Sequence, residues 1–362
     1  MTVPQVVGPA PSPVNGVSPG GAGSRPPGEP AASTASQSRP ALLLAALMTA
    51  AGLVLAVLGF ALATAPGAVR VALVVVGLII FYAGARQLGR VFFGTEFDLG
   101  FWCALAWLVG ITLAAILADV LPLPESLDPS KALLELPLEG PTARHWLGTD
   151  QYGLDLFGEI IYGARVSLIV GFGGVAIGGV IGTCVGLLAG YFRGRVDGSL
   201  GWVVDLILSF PPLVLLMALA AVLAPNTRNI ALALAVLVVP SFARLARATT
   251  MKIAEQDYVF MAKAMGARPR RIMFREVLPN ILPSLMSYAL LVTAILIVAE
   301  ASLSFLGLSV QRPTPTWGNL IAEAEPRFDQ YPFLLAPAVP LFLTVFSINR
   351  IGDAIRARQA RD

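Results

Sequence analysis

The sequence predicts an all-α fold, a polytopic transmembrane helical bundle of about eight spans. Of its 362 residues only 13% are charged, and the mean hydropathy is +0.76. A soluble domain carries about a quarter charged residues. The apolar residues are also gathered into runs near the roughly 20 residues that a helix needs to cross a bilayer. Both observations indicate an integral membrane protein.

Eight apolar runs predict the spans, and the first two, joined by a short Thr-Ala-Pro-Gly turn, predict a helical hairpin. The runs are 41–63, 68–85, 100–118, 166–192, 202–223, 230–242, 283–308 and 331–351, the sixth extending toward Arg247. The Pro-, Gly-, Ser- and Ala-rich stretch before them buries too little apolar surface to order itself. The predicted domains are a disordered cytoplasmic tail (1–40), an extra transmembrane hairpin (41–95) and a transmembrane domain (96–362).

Composition excludes several classes of function. Cys103 and Cys184 both lie inside apolar runs, and His145 is the one histidine of the sequence. A structural disulfide, a metal cluster and histidine-based catalysis are therefore not expected. The sequence also lacks a GxxxxGK[ST] phosphate loop, so any ATP would be bound by another chain. The net charge of +3 does not indicate nucleic acid, because the basic residues lie in short loops between apolar runs.

The distribution of positive charge predicts the orientation. With the N-terminus inside, most of the 25 Lys and Arg residues fall in cytoplasmic segments, as topology rules require. An acidic set then falls outside, mainly in the polar segment 119–165. The C-terminus and the loop 251–282 are consequently expected in the cytoplasm.

The charged segment 255–280 interrupts the apolar runs and is named the coupling loop below. Its first half places Tyr258, Met261, Ala262 and Met265 at i, i+3, i+4 and i+7, one face of a short helix. Gly266 then predicts the end of that helix, and Pro269 predicts the start of a second one. The arginines of this second half could face anionic lipid headgroups. The methionine face and the glycine instead favour docking into a groove of a partner protein.

Three features inside the spans could contribute to mechanism. Five glycines recur at every fourth residue and predict close helix packing, either static or sliding: Gly174, Gly178, Gly182, Gly186 and Gly190. Phe210 and Pro211 predict a kink in the fifth span, either passive or lining the pathway. Glu300 lies deep in the seventh span. It is expected either at a gate in the pathway or as an interhelical hydrogen-bond anchor, in both cases with Ser302 and Ser304.

Several stretches, in this order, resemble a known family. They are GTDQYGLD (148–155), IYGARVSL (161–168), LAGYFRGRVD (188–197), LSFPPLVL (208–215), the coupling loop, EASLSFLGLSVQRPTPTWGNL (300–320) and GDAIR (352–356). From about residue 100 onward the chain resembles the C-type permease subunits of ATP-binding-cassette importers for dipeptides, oligopeptides and nickel. The resemblance implies a six-span core, which leaves the hairpin 41–95 as an addition.

The resemblance implies that the coupling loop is the family's EAA loop, whose helix seats in a cleft of an ATPase subunit. The EAA triplet falls on Phe260, Met261 and Ala262, where the last alanine matches and the first two positions differ. The residues expected to couple are Tyr258, Met261, Ala262, Met265, Gly266, Arg270, Arg271, Leu278 and Pro279. The family's GTDxxGRD motif is also altered, with Leu154 in place of arginine. The resemblance suggests that this segment faces a binding protein.

The implied partners are a second permease subunit, two ATPase subunits that hold ATP and Mg, and an extracytoplasmic binding protein. The chain itself would bind no cofactor or metal, would not be an enzyme, and would lie in the bacterial cytoplasmic membrane with both termini inside. Peptide is favoured over nickel as the transported solute because His145 lies outside the spans and the cysteines are isolated.

Two functions of other classes stay open. An ion-gradient secondary transporter would need inverted repeats and several deep titratable groups, whereas Glu300 is the one such group in this sequence. A non-transporting membrane scaffold could recruit a soluble partner through the coupling loop.

Overall fold

The computed structural model describes residues 34–61, 67–93, 98–132, 135–327 and 329–359. Within these ranges the chain is helical apart from turns and one β-bridge between Thr149 and Asp155. The helices are α1 (Thr34–Ala61), α2 (Gly67–Phe93), α3 (Leu99–Ile116), α4 (Leu156–Phe192), α5 (Gly194–Leu208), α6 (Pro212–Val222), α7 (Thr227–Ala254), α8 (Asp257–Ala264), α9 (Pro269–Ile272), α10 (Leu278–Phe305), α11 (Trp317–Ala324) and α12 (Ala338–Gln359). The predicted helical membrane bundle is confirmed.

Five stretches of the described chain are long and apolar enough to cross a bilayer. They are Leu99–Ile116, Leu156–Phe192, Thr227–Ala254, Pro269–Phe305 and Phe333–Gln359. A sixth arises if α5 and α6, which meet at an 84° bend, count as one span. Side chains of α1 and α2 are described only in part, so the total of eight spans stays a prediction.

Several helix boundaries differ from the sequence prediction. α4 begins at Leu156 rather than at residue 166, because the Asp155 carboxylate accepts the Gly158 N–H at 2.8 Å and caps the helix. α7 runs on to Ala254, and Pro240 lies inside it without ending it. α1 begins at Thr34, within the predicted tail, and residues 1–33 lie outside the described part. Hydropathy marks where a helix enters lipid, not where its hydrogen bonding stops.

The described residues fall into two compact units, one within 1–97 and one within 98–362. In the first, α1 and α2 cross at glycines. A Cβ on Gly84 would lie 2.5 Å from the Thr49 nitrogen and 2.9 Å from the Ala45 oxygen. Backbone thus meets backbone, as small residues allow in membrane helices. The assignment of 41–95 as a separate hairpin domain remains a prediction.

The second unit has its core between α4, α7 and α10. Buried side chains from all three helices form one hydrophobic cluster, which includes Val170, Leu234 and Leu296. α3 and α12 pack together beside it, where the Trp107 indole N–H donates to the Thr344 hydroxyl at 3.0 Å. An ion pair between Arg350, in the middle of α12, and Asp98, the N-cap residue of α3, adds a second contact between these two helices.

Candidate functional site

The coupling loop folds as two short helices around a glycine turn, as predicted. Gly266 adopts φ +78°, a conformation that glycine reaches without steric cost. Its N–H donates to the Lys263 oxygen at 3.0 Å, and the Ala267 N–H donates to the Ala262 oxygen at 3.1 Å. Such bonds satisfy the carbonyls at a helix end. Pro269 then begins α9, and a π-helical turn over Met273–Val277 leads into α10.

The two sides of α8 have different surroundings. Val259 is fully buried, and Ala262 is 9% exposed within the same core cluster as α4, α7 and α10. Phe260, Met261 and Met265 are exposed on the other side. Tyr258, Met261, Ala262 and Met265 therefore do not share one exposed face, because the small side chain of Ala262 packs into the bundle.

The remaining predicted coupling residues are also distributed between core and surface. Tyr258, Arg270, Arg271 and Pro279 are exposed, whereas Leu278 packs against the core. A salt bridge of 2.7 Å between Arg193 and Glu255 also ties the start of the loop to the end of α4. Their contact with an ATPase stays a prediction.

The second half of the coupling loop presents concentrated positive charge. Four arginines and one aromatic ring line an open depression of about 540 Å³: Arg268, Arg270, Arg271, Phe274 and Arg275. Among the described residues, none of the four arginines has a carboxylate within 4.0 Å. This surface is therefore available to an anionic partner.

The five spaced glycines of α4 lie along α7. Gly174, Gly178, Gly182, Gly186 and Gly190 face, in order, the carbonyl oxygens of Ala231, Ala235, Val239, Ala243 and Arg247. A Cβ on Gly190 would lie 2.7 Å from the Arg247 oxygen and 2.8 Å from the Thr250 Cβ. The two backbones meet with no side chain of α4 between them. We call this contact the glycine seam.

The predicted single fifth span is two helices. α5 ends at Leu208, α6 begins at Pro212, and their axes differ by 84°. Two successive prolines lack the N–H groups that would continue the hydrogen bonding of α5, so the chain breaks rather than kinks. Phe210 and Pro211 at this break are exposed, and their part in the pathway stays a prediction.

Glu300 is fully buried between helices. Its carboxylate accepts the Ser167 hydroxyl of α4 at 3.1 Å and the Ser309 hydroxyl at 3.2 Å. The partners expected from the sequence, Ser302 and Ser304, are wrong. Ser302 is exposed and bonds to the Val298 carbonyl of its own helix, and Ser304 bonds to the Thr316 hydroxyl at 2.7 Å. The geometry is that of an interhelical anchor, and a part in the pathway stays a prediction.

Replacement of Glu300 tests the anchor. Glu300→Leu is expected to destabilise the protein by about 1–3 kcal/mol for each hydroxyl left without its acceptor. Glu300→Gln keeps one side-chain oxygen as an acceptor, so it is expected to lose less stability than Glu300→Leu. Thermal unfolding of the purified protein measures both, with Ser302→Ala as the control, because Ser302 does not contact the carboxylate. Equal melting of Glu300→Leu and wild type would contradict the anchor.

Beside the start of α4 lies an ion cluster centred on Arg312, here called the Arg312 cluster. The guanidinium pairs with Asp150 at 3.2 Å, with Glu323 at 2.9 Å and with Glu159. The Tyr152 ring centre lies 5.4 Å from its central carbon. Burial raises the pKa of Asp150. Burial alone would lower the pKa of Arg312, but its bonds to Glu323 and Glu159 raise it.

The Arg312 cluster joins four parts of the chain: the segment 148–155, the start of α4, the loop after α10, and α11. Three carboxylates surround one cation, and the Glu159 Oε2 has no hydrogen-bond partner among the described residues. Leu154 in the same segment is fully buried. Where the resembled family has arginine, this chain therefore has a core side chain.

His145 is the second organising residue of this region. Its Nδ1 lies 3.0 Å from an Asp155 carboxylate oxygen, and its Nε2 lies 3.4 Å from a Glu135 carboxylate oxygen. The imidazole is buried and positions the same Asp155 that caps α4. In the part of the chain that the structure describes, no group of three or more His, Cys, Asp or Glu side chains could hold a metal ion.

Sequence reasoning missed the Arg312 cluster and the His145 contacts. One signal was available: Glu159 stands in the apolar stretch LFGEIIYG, and a buried acid needs a cationic or hydrogen-bonding partner. Its partner Arg312 is far away in sequence, so spacing alone could not identify it.

Comparison with known proteins places these features in a family. Residues 182–361 match the family described as "Binding-protein-dependent transport system inner membrane component". A dipeptide transport system permease protein of Alkalihalophilus pseudofirmus is 37% identical over 254 residues, which are 70% of this chain and 84% of that protein. A glutathione transport system permease protein of Pectobacterium atrosepticum is 38% identical over 219 residues, 60% of this chain and 73% of that protein.

Among solved structures, an inward-facing form of the MetNI methionine ABC transporter contains a similar chain. It is 22% identical and aligns with a TM-score of 0.47, covering 55% of this chain and 95% of that one. The family match and the long, 37% identical alignment agree with the resemblance of the sequence motifs. The chain belongs to the family of membrane permease subunits of binding-protein-dependent ATP-binding-cassette importers.

Proposed function

We propose that this chain forms one half of a heterodimeric permease for short peptides, driven by two ATPase subunits that seat on the coupling loop. The proposal rests on the way the two sides of α8 differ in burial. One side is fixed in the main core by Val259 and Ala262, while Phe260, Met261 and Met265 are presented outward. A partner that moves the outer side must also move the bundle.

Permease subunits of this family are non-catalytic membrane components that work with ATPase and binding-protein partners. We assign ATP and Mg to the two ATPase subunits and the delivery of solute to an extracytoplasmic binding protein. The protein would lie in the bacterial cytoplasmic membrane with both termini inside. The positive charge of the coupling loop supports this orientation.

Peptide is the proposed solute because relatives are named for dipeptide and for glutathione, which is itself a tripeptide. Uptake by proteoliposomes that hold the assembled transporter tests this assignment, with labelled dipeptide, a longer peptide and nickel compared side by side. ATP-dependent uptake of dipeptide is expected. Uptake of nickel without uptake of either peptide would contradict the proposal.

Replacement of Gly266 tests the coupling role. Gly266→Val is expected to abolish ATP-dependent uptake and to weaken ATPase binding, because valine at φ +78° forces the turn between α8 and α9 to change. A Cβ at Gly266 would meet no atom within 4 Å, so the effect arises from the backbone alone. Copurification of the ATPase and stimulation of its activity by the binding protein measure the result.

Gly307 provides a matched control for this experiment. It has φ +73°, also with nothing within 4 Å of a Cβ, but it follows α10 and lies outside the coupling loop. Gly307→Val carries a similar backbone strain and is expected to leave ATPase binding intact. Normal assembly and normal uptake in Gly266→Val would show that the loop does not couple.

A further inference from the structure

A cavity of about 430 Å³ lies between α4, α5 and α7, apart from the coupling loop. This volume is within the usual range for small-molecule sites. Gly186, Gly198 and Gly201 contribute to its walls. A Cβ on Gly198 or Gly201 would meet nothing within 4 Å, so the α5 side of the cavity is open space rather than packed backbone.

The charges on the cavity wall are separated by helix. α5 contributes two acids, Asp197 and Asp205, and α7 contributes two bases, Arg244 and Arg247. The cavity is thus neutral as a whole but has an acidic side and a basic side. A ligand that matches it carries a cation at one end and an anion at the other.

The two ion pairs differ in how firmly they are held. Arg247 forms two hydrogen bonds with Asp197, and the Asp197 side chain is only 20% exposed. Arg244 and Asp205 make one contact of 2.8 Å, and their side chains are 61% and 68% exposed. Exposed pairs contribute little stability. The pair of Arg244 and Asp205 can therefore exchange its members for ligand groups, while the other pair holds α5 against α7.

We propose that this cavity binds a small zwitterion of the peptide class, with its ammonium group at Asp205 and its carboxylate at Arg244. The inference rests on the proposed peptide transport and adds a binding site on the permease itself. A dipeptide spans about 7 Å when extended, so it fits a cavity of this size. Guanidinium–carboxylate and ammonium–carboxylate bonds are among the stronger hydrogen bonds in proteins.

Equilibrium binding of labelled Ala-Ala to the assembled transporter in nanodiscs, without its binding protein, tests the site. Saturable binding is expected, and both Asp205→Asn and Arg244→Gln are expected to weaken it roughly tenfold to a hundredfold. Ala-Ala with an acetylated N-terminus and an amidated C-terminus should not compete. Gly201→Leu, which fills open space in the cavity, should reduce binding without altering any charge.

Two control variants separate a loss of the binding site from a general effect of removing an ion pair. Arg356→Gln removes another exposed ion pair, with Asp353, outside the cavity and the coupling loop and is expected to leave Ala-Ala binding unchanged. The exchanged variant Asp205→Arg with Arg244→Asp keeps an ion pair and should be as stable as wild type. If Asp205→Asn and Arg244→Gln bind Ala-Ala as wild type does, the site is wrong.

A phosphatidylethanolamine headgroup also carries an ammonium group and an anion, so it could occupy the same cavity. Nanodiscs made with and without this lipid distinguish a peptide site from a lipid site. Equal Ala-Ala binding in phosphatidylethanolamine and phosphatidylglycerol discs supports the peptide. Loss of binding in phosphatidylethanolamine discs would make this a lipid site and overturn the inference. ATP-dependent uptake is measured separately: absent uptake in wild type contradicts the proposed function, whereas uptake with unaltered binding in both variants contradicts only this site.

Discussion

Gly182→Val is expected to prevent α4 and α7 from packing and to destabilise the protein by about 3 kcal/mol or more, the upper end of the effects of overpacking. A Cβ at this position would lie 2.5 Å from the Val239 oxygen, 2.7 Å from the Phe242 Cβ and 3.1 Å from the Ala243 nitrogen. Two of these atoms belong to helix backbone and cannot move aside as a flexible side chain does. The yield and melting temperature of the purified protein measure the effect.

Gly173→Val is the matched control on the same helix. The nearest atom to its Cβ would be the Ala231 Cβ at 3.9 Å, an ordinary contact distance. Both variants add the same β-branched side chain to α4, so their helix propensities change equally. Similar melting of Gly182→Val and Gly173→Val would mean that the glycine seam is not a close contact in the membrane.

Arg312→Met is expected to destabilise the protein by an amount similar to that expected for Gly182→Val. It leaves the carboxylates of Asp150, Glu159 and Glu323 facing one another without their shared cation. Removal of one partner from a buried ion pair destabilises proteins by about 3–5 kcal/mol, because the remaining charge is buried and uncompensated. Melting of the purified protein, together with protease sensitivity of the segment 135–155, measures the loss.

The loss of stability in Arg312→Met should depend on pH. Burial raises the pKa of Asp150 in the folded protein, so stability from this group is present in acid and is lost as the pH rises through the raised value. Without Arg312 the negative charges repel more strongly, and acidification should restore more stability to Arg312→Met than to wild type. Asp150→Asn in the Arg312→Met background should mimic part of this recovery at neutral pH.

Arg327→Met serves as the control, because it removes a nearby arginine that does not pair with the three carboxylates. Arg327 is partly exposed and bonds to the Glu323 carbonyl at 3.3 Å rather than to a carboxylate. The melting temperature of Arg327→Met is expected to be close to that of wild type at every pH. Wild-type stability of Arg312→Met, with no added dependence on pH, would show that the cluster does not hold the region together.

The sequence predicted those features that depend on local pattern. Apolar runs identified the membrane bundle, and the order of Gly266 and Pro269 identified the two short helices of the coupling loop. The spacing of the glycines indicated a close contact, although it did not identify α7 as the neighbour. Each of these signals lies within one segment, so periodicity and turn chemistry suffice to detect it.

Features that depend on contacts distant in sequence were predicted less well. The partners of Glu300 were expected among nearby serines, but one donor, Ser167, comes from α4. Spacing placed Ala262 on one helix face with Tyr258, Met261 and Met265, yet the bundle buries Ala262 and leaves the other three exposed. The Arg312 cluster was missed entirely. Side-chain pairing between segments depends on how helices pack, which a single sequence does not specify.

The glycine seam has a period, and that period restricts how α4 can move along α7. Glycines and carbonyls both recur every fourth residue, a spacing of about 6 Å along a helix. A displacement by one full period would again place glycines opposite carbonyls, and only the glycine at the end of the row would pass beyond them. The Cβ atoms of Val238 and Phe242 lie beside the same glycines, 2.6 Å and 2.7 Å from the positions that a Cβ on Gly178 and on Gly182 would take. The glycine seam therefore has the same period on both helices, and a displacement by one full period is the shift that restores the contacts between glycines and carbonyls.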